Sequence, residues 1–454
     1  MLAAATAAGA WIARPLPMVA PLVLAPVAAA ALIRRRPLVV VAALVLLASG
    51  RSAQAWSGVT APAARPVDAT VTLLDDPVPS GAGVRVTARL GARHVELSAF
   101  GGAGRRLAAR AAGERVAIVG RLGPAPTSVR RRLAERHVAA EVDVSAVGGW
   151  SPGSPAARAA NRVRRLLARG ASTMSSGERA LYTGLVIGDD RDEPADLVAA
   201  FRGSGLSHLT AVSGENVAFV LLAVGPIVRR LGLRGRLLTT VAVVGWFALL
   251  TRYEPSVLRA AAMATLATTA WYLGRPATSV RLLGLAVTAL VVIDPMLVWS
   301  IGFWLSVGAT LGISTLARPI AHRLPGPRAL ATGIGVATAA QIGVAPVQTL
   351  AFGVPSVAAL PANLLAVPAA GPVMVWGLTG GLVAGLLPRS VRAVVQLPAR
   401  GALRWLAVVA RVGARVPAPA WWWLVVGAVA GVAVRSRAAG RVPRRVGGSR
   451  RSSL

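Results

Sequence analysis

In the stretch SHLTAVSGENVAFV, residues 207–220, His208, Ser213, Glu215 and Asn216 stand among residues that otherwise suit a membrane helix. A carboxylate and an amide removed from water are costly unless they are hydrogen-bonded or hydrated. Gly214 lets the helix unwind or a neighbour approach closely, and unwound backbone at membrane depth is tolerated only where protein buries it or water lines it. These residue types point to passage rather than bond breaking: a polar, water-filled path. The competing reading is a buried polar network that fixes helix packing. Glu254 and Arg259 stand at a helix start that Pro255 suits, near enough to share a charge network, and Arg259 is expected to face the bundle interior rather than lipid. Gln341, Pro346 and Gln348 interrupt one apolar run; Pro361, Asn363, Pro368 and Pro372 interrupt another. Both patterns suit broken or kinked helices beside a cavity. Gly302, Ser306 and Gly308 suit close helix crossing better than a pore.

Other chemistries are poorly served. The chain has no cysteine, and its four histidines, His94, His137, His208 and His322, are scattered, so neither a thiolate site nor a His-rich metal centre is expected. It has no lysine, which excludes a phosphate-binding GxxxxGK loop. No catalytic residue, metal or cofactor is predicted. The net charge of +33 is carried by arginine. It serves the positive-inside rule, and it also suits an anionic polymer as partner.

The elements that must position these residues form an α-helical polytopic membrane protein with a small all-β domain inserted after two spans. Of 454 residues 55% are apolar, more than one soluble core would bury. Residues 1–50 hold the opening runs, 17–33 and 37–49, separated by three arginines at 34–36 that belong in the cytoplasm. The second run is short and ends in AQA at 53–55, so a cleaved signal peptide is a rival reading. Residues 57–147 alternate with period two between Gly and Pro turns, predicting about five strands that fit a small barrel of the OB type. A helical insertion is expected at 126–137. In this segment the only aromatic residue is Phe100, so DNA contact there would run mainly through phosphates, with Arg130, Arg131 and Arg132 as candidates.

Residues 155–206 read as an amphipathic, interfacial connector. Arg158, Arg162, Arg165 and Arg169 share one helical face, aimed at headgroups, phosphates or plain solvent, while Val163, Leu166 and Leu167 fall on the other. Residues 207–434 hold runs near 208–228, 237–251, 257–273, 280–293, 297–316, 329–350, 356–387 (two spans) and 420–434, bringing the total to ten or eleven. Basic loops at 229–236 and 317–328 fall where an external barrel requires cytoplasm; the segment after 388 suits an amphipathic helix on either face. Residues 435–454 form a basic, disordered tail.

FRGSGLSHLTAVSGENVAFV resembles the signature of the competence protein ComEC family, membrane channels that pass one strand of external DNA into bacteria. Gly205, His208, Ser213, Gly214 and Val217 match it. Asn216 stands where many members have a second histidine, which puts any proton-linked role there in doubt, and Glu215 replaces an apolar residue. GDDR at 188–191, EPSVLRAAAM at 254–263, DPMLVWSIGFWLSVGATLGI at 294–313 and the segment 341–368 follow in the family's order. The resemblance implies import of single-stranded DNA in the bacterial plasma membrane, bound without sequence preference, with the barrel outside. Its partners would be DNA, lipids, competence-machinery proteins supplying DNA and energy, and further copies of the chain. Full-length members carry a metallo-β-lactamase-like domain; the scattered histidines lead us to expect no such nuclease site. The alternatives are a secondary transporter of a small anionic solute and a non-transporting remnant.

Overall fold

The computed structural model describes residues 1–12, 37–58, 63–125, 133, 136–210, 212–353, 356 and 358–416. The apolar run at 17–33, the arginines at 34–36, the run at 420–434 and the tail lie outside them. A short apolar helix, α1 (Leu2–Ile12), which the hydropathy pattern does not single out, packs along α2 (Pro37–Gly58). The second run is therefore longer than its apolar part, and AQA lies inside the helix. Its polar end is held by protein partners: Arg51 donates to the Ile293 carbonyl at 2.9 Å, and Trp56 packs edge-on against Trp299, on which Trp11 stacks.

Alternation then gives β1 (Arg65–Leu73), β2 (Val78–Ser80), β3 (Gly83–Leu90), β4 (Arg93–Phe100), β5 (Arg115–Pro124) and β6 (Val138–Ser151). The strand order is β1-β5-β6-β4-β3-β2, and β3 also pairs with β1, so five strands close into a barrel with β2 as an arm. The β4–β6 pair is parallel and the rest antiparallel. The two-residue period turns Val71, Leu73, Val86, Leu97, Val116, Ile118 and Val142 inward, all buried. Each such side chain contributes about 1.5–3 kcal/mol relative to exposure. The helix α3 (Gly101–Ala108), between β4 and β5, fills the barrel edge with Ala103 and Leu107. Its glycine-rich start hides it from the sequence pattern. The insertion expected at 126–137 falls almost wholly outside the described residues.

The connector comprises α4 (Pro155–Gly170), α5 (Ser176–Ile187) and α6 (Ala195–Gly203). Ser154 caps α4, and Ser175 with Glu178 forms a reciprocal capping box on α5. The helical unit follows: α7 (Ser207–Thr210), α8 (Gly214–Arg229), α9 (Leu233–Leu250), α10 (Pro255–Tyr272), α11 (Ser279–Ile293), a 3₁₀ turn (Pro295–Trp299), α12 (Ile301–Ala321), α13 (Arg328–Phe352), α14 (Ala359–Trp376), a π turn (Gly377–Gly381), α15 (Leu382–Leu386), α16 (Arg389–Val395) and α17 (Leu397–Gly413).

Among the described residues four helices are long and apolar enough to cross a membrane: Leu38–Ser57, Leu233–Leu250, Arg328–Phe352 and Ala359–Leu386. The pair α16–α17, bent by 55°, would make a fifth. The number expected from sequence is higher because it includes helices that are shorter or less apolar and the runs 17–33 and 420–434, which lie outside the described residues. Two expected breaks are absent. Segment 356–387 is one helix from Ala359 to Leu386 rather than two spans, its distortion confined to the π turn, and α13 runs unbroken through Pro346. One missing backbone donor does not break a helix whose other backbone groups have no water to turn to. Along α13, Gly343 faces Gly308 of α12 too closely for a Cβ on either, so the two helices support each other by close packing.

Candidate functional site

The chain is interrupted between α7 and α8, where the sequence places a break. Ser213 is the N-cap of α8, its hydroxyl accepting from the Glu215 N–H at 3.2 Å and lying 3.4 Å from Asn216 Oδ1. Asn216 is buried and its amide donates to the Leu185 carbonyl at 2.9 Å, so it joins α8 to α5. Ser256 of α10 donates to the Val212 carbonyl at 2.7 Å and satisfies the open backbone. Gly214 is itself helical; what it provides is proximity, since a Cβ there would lie 2.6 Å from Arg259 Nη2. His208 and Glu215 leave part of their side-chain surface accessible although protein crowds closely around both, and His208 interacts with Asn363 and the Gly205 backbone. Asn363 donates to the Ala359 carbonyl at 2.8 Å. His208, Ser213, Gly214, Asn216, Asn363 and Arg259 thus gather around one interruption.

Arg259 faces the interior, as expected, but the predicted partnership with Glu254 does not form. Arg259 is 5% exposed and donates from Nε to Ser306 Oγ at 2.8 Å and from Nη1 to Thr310 Oγ1 at 2.9 Å. Ser306 is therefore a ligand of the guanidinium as well as part of a packing seam. Glu254 is exposed at the barrel-facing end of α10 and shares its electrostatic surroundings with Arg136, Asp75 and Asp190. Glu254 is the non-helical N-cap residue of α10, whereas Arg259 lies more than a turn into the helix on its buried side. Gln341 and Gln348 lie half-buried on α13, and the Gln341 amide nitrogen is buried without an acceptor among the described residues.

A second centre, which the sequence reading missed, fastens the barrel to the helices. Asp76, in the turn after β1, accepts from Arg164 Nη2 at 2.9 Å and from Arg252 Nη2 and Nε at 2.9 and 3.1 Å, and from the Ala112 N–H at 2.9 Å. Arg164 also donates to the carbonyls of Ile187 and Leu250, and Arg252 to Asn161 Oδ1. Burial alone would raise the Asp76 carboxyl, but Arg164 and Arg252 outweigh it and hold the group at about 2. Arg252 and Tyr253 both adopt positive φ, 60° and 59°, uncommon for such side chains, and the charged contacts of Arg252 offset that strain. The motif residues Asp189 and Arg191 belong to the same centre: Arg191 forks onto Asp189 at 2.6 and 2.7 Å, and Asp189 lies 3.2 Å from Arg164. The signal was available in part, since Arg164 lies on the buried side of α4, with Ala160 and Leu167, away from the arginine face.

That face forms as expected: Arg158, Arg162, Arg165 and Arg169 are all exposed. Arg130, Arg131 and Arg132 lie outside the described residues. Two histidines do meet, against expectation, because β4–β6 pairing sets His94 opposite Val138 and brings its ring 6.3 Å from that of His137. His137 Nε2 lies 2.9 Å from Asp294 Oδ1, a further link from barrel to helices, and this bond raises the imidazole above its ordinary value. The barrel also gains an aromatic beyond 147: Trp150 of β6 is exposed with the Arg110 guanidinium 4.5 Å above its ring.

Residues 185–437 match the family model described as Competence protein. The chain belongs to this family. The matched segment contains GDDR, the α7–α8 interruption, Arg252 and Arg259, whereas the barrel precedes it. A protein of Escherichia coli (strain K12), named only as the uncharacterized protein YcaI, is 28% identical over 206 residues, 42% of this chain and 27% of the relative. The chain thus aligns with about a quarter of that relative's length. No solved structure matches.

Proposed function

We propose that this competence-family chain is a multi-pass plasma-membrane channel that imports single-stranded DNA along the polar residues around the α7–α8 interruption. The observation that carries this is the interruption itself, where partly accessible His208 and Glu215 sit beside Ser213, Gly214, Asn363 and Arg259 within otherwise apolar helices. The barrel would be of the OB type and extracytoplasmic. Its five-strand closure, single parallel pair and helix after the third strand of the ring support that type. Exposed Phe100 and Trp150 offer stacking surfaces, and Arg110 and the arginine face of α4 offer phosphate contacts. No bond-breaking step is assigned to these residues, and energy would come from partner proteins, a gradient or capture of DNA inside. Uptake of labelled DNA by cells with and without the chain tests the proposal. Uptake should depend on it; equal uptake in its absence would refute the channel.

A further inference from the structure

The helix α4 passes alongside a span rather than across its end. A Cβ on Gly170 would strike the Gly381 carbonyl and one on Gly385 the Leu166 carbonyl, so the two backbones touch at both points. The contacts run in opposite directions: forward along α4 from Leu166 to Gly170, back along the span Ala359–Leu386 from Gly385 to Gly381. The end of α4 is therefore antiparallel to the last turns of that span, and at about 1.5 Å per residue it reaches about 7 Å inside the span's end. Arg165 and Arg169 adjoin these contact points in sequence and are exposed. The helix α4 contains no acidic residue, and neither arginine makes an ion pair among the described residues.

The surface beside them is apolar. Val383 and Leu386, turned outward from the α4 contact, are 53% and 73% exposed. Exposed Val391 and Val394 of α16 extend this patch, because Arg392 ties that helix back. It donates to the Ala384 and Leu387 carbonyls at 3.1 and 2.9 Å and to Ser172 Oγ, just beyond α4, at 2.7 Å. Two unpaired cations beside exposed apolar residues, level with the end of a span, are within reach of lipid phosphates. A nucleic-acid strand matches this place poorly, since it would leave Val383 and Leu386 uncovered, whereas acyl chains cover them.

We propose that Arg165 and Arg169, with the apolar patch beside them, form a docking surface for an anionic phospholipid of the leaflet on the barrel's side. Its phosphate meets the guanidinium groups and its acyl chains lie along Val383 and Leu386. Arginine suits the place because its carbon stem covers apolar surface while its planar head reaches the phosphate. Arg164, on the buried side of the same helix, holds Asp76, so the bound lipid fixes the depth at which the barrel is fastened. The surface rests on the chain spanning a membrane and not on what the chain passes; Arg158 and Arg162, nearer the barrel, remain available to a strand.

The test uses the full chain, purified in detergent, with phosphatidylglycerol or phosphatidylcholine added in equal amounts. Phosphatidylglycerol should raise the thermal midpoint more than phosphatidylcholine does. Arg165→Gln combined with Arg169→Gln should lose most of that difference, while Arg93→Gln, an exposed control in the barrel, should keep it. Native mass spectrometry of the same mixtures gives an independent reading: the native chain should retain phosphatidylglycerol over phosphatidylcholine about tenfold or more, and the double variant should retain the two about equally. Neither reading involves DNA uptake, so failure of this surface and failure of the channel are told apart. An equal response of the native chain and the double variant to phosphatidylglycerol in both measurements would overturn the surface. So would stabilisation by oligothymidylate or sodium phosphate, at equal ionic strength, that matches phosphatidylglycerol and vanishes in the double variant, since the pair would then serve a strand or free phosphate.

Discussion

Asp76 is the residue on which most of the barrel's attachment converges, because two buried guanidinium groups, Arg164 and Arg252, depend on its carboxylate. Removing one partner of such a set leaves uncompensated charge, so Asp76→Ala should cost about 3–5 kcal/mol, read as a lower denaturant midpoint. The pH dependence has a fixed sign. The folded carboxyl is depressed to about 2 from 3.8, so its contribution is present above the ordinary value and is lost as pH falls through about 2. An acid titration of stability that is unchanged in Asp76→Asn would contradict this. Gly214 makes the second residue-scale case: a Cβ at this position would stand 2.6 Å from Arg259 Nη2, so Gly214→Ala forces a shift and Gly214→Leu has no room. Gly214→Leu should abolish DNA uptake while expression and membrane insertion persist; normal uptake would show the contact to be incidental. The polar cluster was legible because such residues are conspicuous in an apolar run. The Asp76 centre was not, since its members lie up to 176 positions apart and each alone resembles an ordinary loop charge.

Among elements, the period-two alternation identified the barrel strands well, since side-chain direction in a strand follows from position alone. Helix interruptions were harder to read. A polar cluster with an N-capping serine did mark the break before α8, yet Pro346, Pro368 and Pro372 lie within continuous helices. Proline costs one backbone bond, whereas a break in an apolar surrounding exposes several, so prolines alone are weak evidence for interruption. The edge between β6 and the 3₁₀ turn carries a pH-sensitive contact, His137 with Asp294. Because the folded imidazole is raised, its stabilisation is complete below the ordinary value of 6.5 and declines as pH rises through the folded value. Protection factors for hydrogen exchange around 136–138, in which the intrinsic pH dependence of exchange is divided out, should therefore be lower at pH 8.5 than at pH 5.5, about the range over which imidazole discharges, and His137→Ala should remove the difference. Equal protection at both pH values in the native chain would show that this bond does not hold the junction.

For the whole molecule, two contacts, the buried one of Asp76 with Arg164 and Arg252 and the half-buried one of His137 with Asp294, set the barrel against the end of the helical unit near Leu250 and Asp294. If the arginine-rich loops are cytoplasmic, a reporter fused at residue 100 should report outside and one at residue 325 inside. The opposite result would leave the barrel unable to receive incoming DNA. The claim that the α7–α8 interruption lines a hydrated path has the most direct test, and the absence of native cysteine makes it clean. With Ser213→Cys in cells, a membrane-impermeant thiol reagent should label the position and block uptake of labelled DNA, since only a hydrated thiol ionises readily. Failure of a water-soluble, membrane-permeant reagent to label position 213 while uptake proceeds normally would contradict the path and identify the polar residues as packing.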